Sequence, residues 1–434
     1  MRKNKLTRKF VRRLTAAFAT LLVWAASAPA QTVVVGTGNP DLDVPAVQAA
    51  VDQGGEVTLK GHFSFNRPPT VPTATHFAGG LATVLVSKAV AISGTQDGDT
   101  QDGEMTSIEG GTTPFYVEAP GASVTIQGLR FIRPNRDAIF VYAVTGLVIA
   151  SCKIEGIAPT IGPTDGIDIA TGGLPSPTNP GKPENISGTL LIANNDIDLA
   201  GGTALNLVGG VGVLIFSVGV PGAEVEVYVS GNTIRNITEP AINLRRIVGR
   251  AYVERNVITT GSVSGPATGP HAIRVVNSGS YVIAHNSIDC GWAQGQGIGV
   301  FSQFAEWPME RAIVVDNDVT MSPPPGTVFG DSSAAIDVRG FAQDSVVLNN
   351  RIGGRARAAL SVDVFKGGIP ANTAFVLNRV DDFEASVADV AVGLGALNTR
   401  IVGAGTVQDF GTGTTIVRLP RPGERDDDHK DRDH

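Results

Sequence analysis

An asparagine recurs in one short sequence frame seven times between residues 195 and 378. The frame holds an apolar residue, two variable residues, the asparagine, one further residue and a second apolar residue, as in "VSGNTI" around Asn232. Two earlier frames carry Leu129 and Cys152 in place of the asparagine. The shortest spacings, 23 residues from Leu129 to Cys152 and 24 from Asn232 to Asn256, predict the length of one coil of a repeating structure. The seven positions are Asn195, Asn232, Asn256, Asn286, Asn317, Asn350 and Asn378.

A second pattern, a small residue followed by an apolar, a variable and an apolar residue, alternates with the asparagine frames. Because the side chains of a strand alternate between two faces, this pattern predicts a short strand with one buried face. Each coil then has at least two strands, and asparagines stacked about 4.8 Å apart can hydrogen-bond along the stack. The segments are 138–141, 166–169, 204–207, 241–244, 272–275, 297–300, 335–338 and 359–362.

The N-terminal segment "DLDVPAVQAAVDQGGEVTLK" predicts a short helix that covers the open end of the first coil. Asp43 is the predicted N-cap, and Gly54 and Gly55 end the helix before the first strand. Together with the coil spacing and the asparagine ladder, this cap makes residues 40–410 resemble the right-handed parallel β-helix (pectin-lyase-like) superfamily. The resemblance implies an all-β fold, a right-handed single-stranded parallel β-helix.

Three segments divide the chain. Residues 1–30 hold seven basic residues, an apolar run and Ala28-Pro29-Ala30, a pattern typical of a secretory signal peptide. Residues 31–418 are the predicted β-helix domain, and residues 419–434 are a charged tail predicted to be disordered. We therefore expect a secreted or periplasmic protein with no membrane association after signal cleavage.

Charge and cysteine content exclude several classes of protein. Removing residues 1–30 changes the formal net charge from −7 to −14, which argues against nucleic acid or an anionic membrane as a partner. A polyanionic substrate would then need calcium or a local basic patch. Cys152 and Cys290 lie four coils apart, about 19 Å by strand spacing, so no intrachain disulfide is expected.

The candidate catalytic residues come from two positions of the second pattern: the outward residue between the two apolar residues, and the residue at the turn that enters the strand. "TDGIDI", which contains Asp165 and Asp168, resembles the N-T-D-G motif of polygalacturonase-type glycoside hydrolases, in which the aspartate belongs to the catalytic set. Asp137 occupies the same turn position as Asp165 one coil earlier, about 5 Å away. Repulsion between two carboxylates this close would raise the pKa of one of them. The pair could then act as an acid together with a base or nucleophile.

A second candidate region lies further along the chain. His271, in "GPHAIRV", occupies the column of the histidine in that family's G-H-G motif. The family's paired G-D-D acids are replaced by "GGTALNL", no R-I-K motif follows, and no tight group of three acids is expected. His271 and Arg274 on one side, and Asp337 and Arg339 on the other, border the glycine-rich "GQGIGV". Bare backbone between titratable side chains predicts a binding cleft.

Aromatic and polar side chains near this cleft are the candidate substrate-binding set. The aromatic rings are predicted to stack on sugars, and the loops 174–183, 209–222, 259–270 and 321–333 to form cleft walls, with the apolar 209–222 alternatively a protomer contact. The set contains Trp292, Trp307, Phe301, Arg339, Arg245 and Asn243.

The predicted function is that of an exported carbohydrate-active enzyme, a polysaccharide hydrolase or lyase acting along the parallel-strand face. The alternative is a non-catalytic glycan-binding or structural cell-surface β-helix. The expected partner is a polysaccharide or glycan, and the sequence leaves the oligomeric state open. No cofactor or metal site is expected, except calcium in the lyase version.

Overall fold

The computed structural model describes residues 31–67, 84–95, 105–156, 165–171, 182–199, 210–237, 239–260, 271–292, 295–330, 333–403 and 405–418. The predicted signal peptide and the charged tail lie outside the described residues. Over these ranges the chain forms one α-helix, one short 3-10 helix (Pro183–Asn185) and 33 strands, whose ladders are all parallel. The strands stack coil on coil into a right-handed parallel β-helix, as predicted.

Three parallel sheets run the length of the solenoid, where the sequence predicted at least two strands per coil. The first sheet contains β4 (Val84–Val86), β11 (Ile167–Ala170), β14 (Val213–Val218), β17 (Ile242–Ile247), β20 (His271–Val276), β23 (Gln296–Ser302), β26 (Ala334–Gly340) and β32 (Val407–Asp409). The second contains β1 (Thr32–Val35), β2 (Gly55–Lys60), β5 (Val90–Gly94), β12 (Gly188–Ala193), β15 (Val225–Ser230), β18 (Gly249–Glu254), β21 (Ser280–Ala284), β24 (Arg311–Val315), β27 (Val346–Leu348), β29 (Ala374–Val376), β31 (Arg400–Val402) and β33 (Thr415–Val417).

The third sheet contains β3 (His62–Phe65), β6 (Ser107–Gly110), β8 (Arg130–Ile132), β10 (Lys153–Glu155), β13 (Asp196–Asp198), β16 (Thr233–Arg235), β19 (Val257–Thr259), β22 (Ser287–Cys290) and β25 (Asp318–Met321). Four long strands continue around a corner and serve two sheets each. These are β7 (Phe115–Gln127) and β9 (Ile139–Ala150) in the first and second sheets, and β28 (Arg351–Asp363) and β30 (Arg379–Val392) in the third and first.

Alternating side chains build the core, as the period-two pattern predicts. In β15, Val225, Val227 and Val229 point inward and are buried, while Glu226 between them is exposed. Apolar residues from all three sheets meet inside in one continuous cluster. The outward side chains are therefore free to build a site.

The predicted asparagine ladder is confirmed at the corner between the second and third sheets. The Asn232 amide donates from Nδ2 to Oδ1 of Asn256 at 2.9 Å and to the carbonyl of Ile192 at 3.0 Å. Six of the seven residues preceding ladder asparagines are non-glycine residues with left-handed φ, for example His285 at 57° before Asn286. Such a bend is strained for a residue with a Cβ, and the ladder hydrogen bonds offset that cost at every coil.

The N-terminal helix, α1 (Pro40–Gln53), contacts strands of all three sheets and so covers the end of the solenoid. Its N-cap is Asn39, which accepts from the backbone N–H of Asp41, and not Asp43 as predicted. Asp43 is buried and accepts instead from the N–H groups of Thr37 and Ser64. Pro40 favours the first helical position, because its missing N–H is not needed there.

The sequence pattern predicted that residues 204–207 form the strand between β11 and β17 in the first sheet, and this prediction is wrong. β14 pairs with β11 and β17 in that position, and residues 200–209 lie outside the described residues. The inward side chains of β14, Val213 and Ile215, are fully buried, so part of the segment predicted as an apolar loop, 209–222, is core. Leu214, and not Asn206 of the predicted strand, is therefore the residue that pairs with Asp168.

Both cysteines are free, as predicted, and both are buried. Among the described residues, no helix has the length and apolarity that would cross a membrane.

Candidate functional site

Outward side chains of the first sheet form two adjacent rows across the coils, called here the outer strip. Parallel pairing aligns Asp168 with Phe140 on one side and Leu214 on the other, and the row continues through Asn243, Arg274, Gly299, Asp337 and Ser361. The second row, two residues further along each strand, carries Phe216, Arg245, Val276, Phe301 and Arg339. Apart from Leu214 and Phe216, these are the alignments that the sequence pattern predicts.

Three carboxylates meet at the coils of β9 and β11, and are called the acid cluster: Asp137, Asp165 and Asp168. One oxygen of each lies within 4.8 Å of the others, so the sequence expectation of no tight group of three acids is wrong. The two loop positions hold each other, since the backbone N–H of Asp165 donates to Asp137 Oδ1 at 3.2 Å. Asp165 Oδ1 also accepts from the N–H of Val211 at 2.8 Å. Two chain segments that precede paired strands thus fix the cluster.

Burial and mutual repulsion raise the proton affinity of the acid cluster. Burial, then the charge of Asp165, raises the pKa of Asp137 to about 8, although Arg136 lies 3.3 Å away and opposes the shift. Burial also raises the pKa of Asp165 to about 6, against the hydrogen bond from Val211. The pKa of Asp168 is raised well above its ordinary value by burial, followed by Asp137 and Asp165. The cluster therefore retains protons at neutral pH.

Asp168 is the member of the cluster that lacks support from the chain. Its side chain is 6% exposed, and Oδ1 has no hydrogen-bond partner among the described residues. A buried polar atom without a partner is destabilising, so a proton or a bound ligand at this oxygen would stabilise the cluster. Carboxylate oxygens are also the ligands that Ca²⁺ takes in proteins, so the donor set fits a hard divalent cation.

Arg245 and Arg274 lie on adjacent coils further along the strip and are called the arginine pair. The guanidinium carbon of Arg274 lies 4.9 Å from the ring centre of Phe301, and that of Arg245 lies 5.3 Å from the ring centre of Phe216. Burial, then the charge of Arg245, lowers the pKa of Arg274 to about 10. The pKa of Arg245 is also lowered by burial, opposed by the charge of Glu239.

The bare backbone predicted at "GQGIGV", beside the arginine pair, is covered by the side chain of His271. A Cβ added at Gly299 would lie 2.1 Å from His271 Cδ2, so the imidazole rests on the bare backbone of β23. The ring also packs against Phe301, with centroids 5.2 Å apart. Burial and the nearby Arg274 and Arg339 lower the pKa of His271 well below its ordinary value, so the ring is neutral at neutral pH.

Asp337 and Arg339 form a separate network and do not join the acid cluster. Arg339 makes an ion pair with Asp337, which also accepts from Ser361 Oγ and, at 3.0 Å, from Gln296 Nε2. Five strand spacings, about 24 Å, separate Asp337 from Asp168 along the row. The predicted catalytic set therefore divides into three groups, of which only the acid cluster brings several carboxylates together.

The predicted aromatic residues occupy different places. Trp292 is 3% exposed and belongs to the hydrophobic core, so its expected stacking on sugars is wrong. Trp307 lies beyond the end of β23, where it packs against Phe304 and beneath Arg246, away from the row of Asp168. Phe301, in the second row of the outer strip, is buried between His271 and Phe365, so its ring is not available to stack on a sugar.

Two residues that the sequence prediction omitted lie beside the acid cluster. Tyr116 and Phe140 stack with centroids 5.2 Å apart and an angle of 18° between their planes, and both are partly exposed. Phe140 is the neighbour of Asp168 in the row, and Tyr116 is the next along. The signal was present, since "FYV" precedes "IFV" by 24 residues, one coil. These rings place a partly exposed aromatic pair next to the carboxylates.

Neither a protein-family model nor a curated protein sequence matches the chain. Three similar solved structures have the same class of fold. The A-module of mannuronan C-5 epimerase AlgE4 from Azotobacter vinelandii shows 13% identity and a TM-score of 0.40 over 88% of this chain and 94% of that chain. The Dettilon tailspike protein shows 11% identity and a TM-score of 0.45 over 88% and 68%. An endo-xylogalacturonan hydrolase from Aspergillus tubingensis shows 13% identity and a TM-score of 0.34 over 90% and 100%.

The class that the strands and the ladder define is the right-handed parallel β-helix. At these TM-scores the alignments carry nothing about the chemistry of the outer strip. Function is therefore argued from the side chains of this chain.

Proposed function

We propose that this chain is an exported glycoside hydrolase that cleaves a polysaccharide lying along the outer strip. The observation that supports the proposal is the acid cluster, in which three carboxylates from adjacent coils lie within 4.8 Å of one another on the outward face. Glycosidic hydrolysis needs one carboxyl group that gives a proton to the leaving oxygen and a second that is ionised. Proton-sharing acids with separated pKa values supply both states.

The roles follow from the surroundings of each acid. Asp168 has a buried oxygen without a hydrogen-bond partner among the described residues, no described ion pair and a strongly raised pKa, so it is the proton donor to the leaving oxygen. Asp165, with a pKa of about 6, is ionised at neutral pH and acts on water or on the sugar. Asp137 is a positioning residue, since its Oδ1 accepts from the backbone N–H of Asp165.

The rest of the strip gives the substrate its direction. Tyr116 and Phe140 present an aromatic surface on one side of the acid cluster, where a sugar ring can stack. Asn243, Arg245 and Arg274 lie on the other side. A chain of sugars parallel to the solenoid axis would contact both sides and place one glycosidic bond at Asp168.

A second candidate reaction is calcium-dependent elimination, the lyase version. The three carboxylates offer hard oxygen ligands, and Asp168 Oδ1 has no partner in the described part of the chain. A cation there would hold the carboxylate of a uronic acid sugar and offset the repulsion within the cluster. In this version the acid cluster binds the cation, and proton abstraction falls to a group further along the strip.

The two reactions give different products from the same panel of polysaccharides. The purified full chain is incubated with neutral and uronic polysaccharides, with calcium or with a chelator, and both reducing ends and absorbing unsaturated sugars are measured. We expect reducing ends without unsaturated products, in the presence of chelator. Unsaturated products that require calcium would replace hydrolysis by elimination.

Asp168→Asn tests the site itself. Because the amide cannot donate a carboxyl proton, we expect hydrolysis to fall about 10²- to 10⁴-fold. Asp318→Asn removes an exposed carboxylate from β25 on the third sheet and is the matched control, with activity unchanged. Full activity in Asp168→Asn would remove the acid cluster from the mechanism, and glycan binding with no product on any substrate would make the strip a binding surface only.

A further inference from the structure

Most arginines of the β-helix whose contacts are described sit beside a carboxylate of the same chain. Arg130 pairs with Glu155, Arg235 with Asp196 and Asp198, and Arg339 with Asp337. Arg245 and Arg274 are different, because the buried Nε atom of each has no hydrogen-bond partner in the described part of the chain. Both residues remain partly exposed, so a ligand can reach the guanidinium groups from outside.

The surroundings hold the arginine pair in place and neutralise its charge only in part. Phe301 and Phe216 lie under the two guanidinium planes and favour fixed orientations. The carboxylate that acts on both is that of Glu239, an exposed residue that makes no described hydrogen bond to either arginine. Two like charges on adjacent coils repel each other, and a bound anion would relieve that repulsion.

The chain as a whole makes such a site necessary for an anionic substrate. After removal of residues 1–30 the formal net charge is −14, so a polyanion meets repulsion over most of the surface. The arginine pair lies in the outer strip, with Arg274 three strand spacings, about 14 Å, from Asp168 in the same row. It is therefore a local basic patch on the path that the proposed substrate follows.

We propose that Arg245 and Arg274 form a carboxylate-binding subsite, and that the polysaccharide cleaved at the acid cluster is a polyuronate. The inference rests on the proposed function, because it takes the outer strip as the polysaccharide-binding face. Guanidinium groups bind carboxylates through two parallel hydrogen bonds, which a lysine ammonium cannot reproduce. Asn243, buried beside Arg274 with an unpartnered Oδ1, accepts a sugar hydroxyl at the same subsite.

Binding is measured by calorimetry on the full-length Asp168→Asn variant, so that the substrate is not consumed. The probes are oligomers of galacturonate and of mannuronate, a neutral xylan oligomer and dextran sulfate. We expect a uronate oligomer to bind more tightly than the neutral oligomer, with affinity that falls as salt is raised. Adding Arg274→Gln should weaken that binding by about tenfold or more, because a charge-assisted hydrogen-bond pair is lost.

Three further variants distinguish a subsite from general electrostatics. Arg245→Gln is the second test and should also weaken binding by about tenfold. Arg274→Lys keeps the charge but not the fork, so we expect a smaller loss that is still measurable. Arg250→Gln removes an exposed arginine from β18, on a different sheet, and should leave binding unchanged.

The outcomes separate this inference from the proposed function. Uronate binding that is equal in Arg245→Gln, Arg274→Gln and the parent protein would overturn the subsite, even if the enzyme hydrolyses a neutral polysaccharide. Selective binding of dextran sulfate would replace the uronate by a sulfate ester and would also overturn the assignment. Arginine-dependent uronate binding with no hydrolysis by the wild-type protein would support the subsite and reject the hydrolase.

Discussion

The asparagine ladder and the outer strip are both stacks of buried polar side chains, but they differ in how those side chains are satisfied. In the ladder, each amide from Asn195 to Asn350 donates to the next asparagine at 2.9 Å. In the strip, Asp168, Asn243, His271 and Arg274 each keep a buried atom without a partner in the described part of the chain. The polar groups of the ladder therefore stabilise the fold, whereas those of the strip are available to bind a ligand.

The energetic signs of the two regions are opposite. A buried hydrogen bond contributes about 1 kcal/mol, whereas an unsatisfied buried polar atom costs about 1–3 kcal/mol. Substitutions in the ladder should therefore destabilise the protein without changing chemistry at the first sheet. Substitutions in the strip should alter binding or activity and leave the fold as stable as before, or more stable.

Asn286→Ala should have the largest effect on stability. It removes three side-chain donations, to Asn317, Val253 and Ala284, and the acceptor of Asn256. Because several buried groups lose their partners together, we expect a loss of about 4 kcal/mol in the free energy of unfolding. Denaturant unfolding followed by circular dichroism measures the change.

Asn378→Ala is the graded control for the ladder. Asn378 lies near its end and donates to the carbonyl of Val347 while accepting from Asn350, so fewer groups are orphaned. We expect roughly half the loss of Asn286→Ala. Equal losses at both positions would contradict the grading by number of hydrogen bonds, and no loss at Asn286 would show that the ladder hydrogen bonds do not stabilise the coils.

The acid cluster should give the protein an unusual dependence on pH. Its acids have raised pKa values in the folded state, about 8 for Asp137 and about 6 for Asp165, against an ordinary value of 3.8. The folded state thus holds protons that the unfolded chain releases. The stabilisation is fully present below about pH 4 and is lost as pH rises towards 8.

Asp168→Asn isolates this contribution from the other titrating groups. The variant cannot ionise at position 168, so its stability relative to the wild type should rise between pH 4 and pH 8. Unfolding is measured over this range with a chelator present, so that no cation masks the repulsion. A constant difference between the two proteins, or the same rise relative to the wild type in Asp318→Asn, would contradict the assignment.

The fold was predictable because its signals are local and repeated. The asparagine slots and the alternation of apolar residues give the coil and the buried face without any knowledge of long-range pairing. The first sheet between β11 and β17 was not predictable in the same way. Both 204–207 and the strand β14 have suitable alternation, and pairing with two neighbouring strands selects β14.

The site was predictable in its rows and not in its chemistry. The spacing places Asp137 next to Asp165, whereas the pKa of each acid depends first on its burial, and the pKa of Asp165 also on the hydrogen bond from Val211, which no spacing reveals. Asp337 was an equal candidate in the sequence, but Gln296 and Ser361 from neighbouring coils satisfy it. The burial of Trp292 likewise depends on how the chain turns after β22.

Arg274→Gln should produce the smallest effect on stability, and with the opposite sign to the ladder. The Nε atom of Arg274 is buried without a hydrogen-bond partner among the described residues, and Arg245 repels its charge. A neutral side chain removes that repulsion while keeping the contact with Phe301, so we expect a gain of about 1 kcal/mol in the unligated protein. Thermal unfolding at low salt, where the repulsion is least screened, measures it, with Arg250→Gln as the control. A gain that disappears when a uronate oligomer is added would show that the arginine is retained for its ligand. A loss of stability in Arg274→Gln would instead make the arginine pair part of the fold, like the ladder.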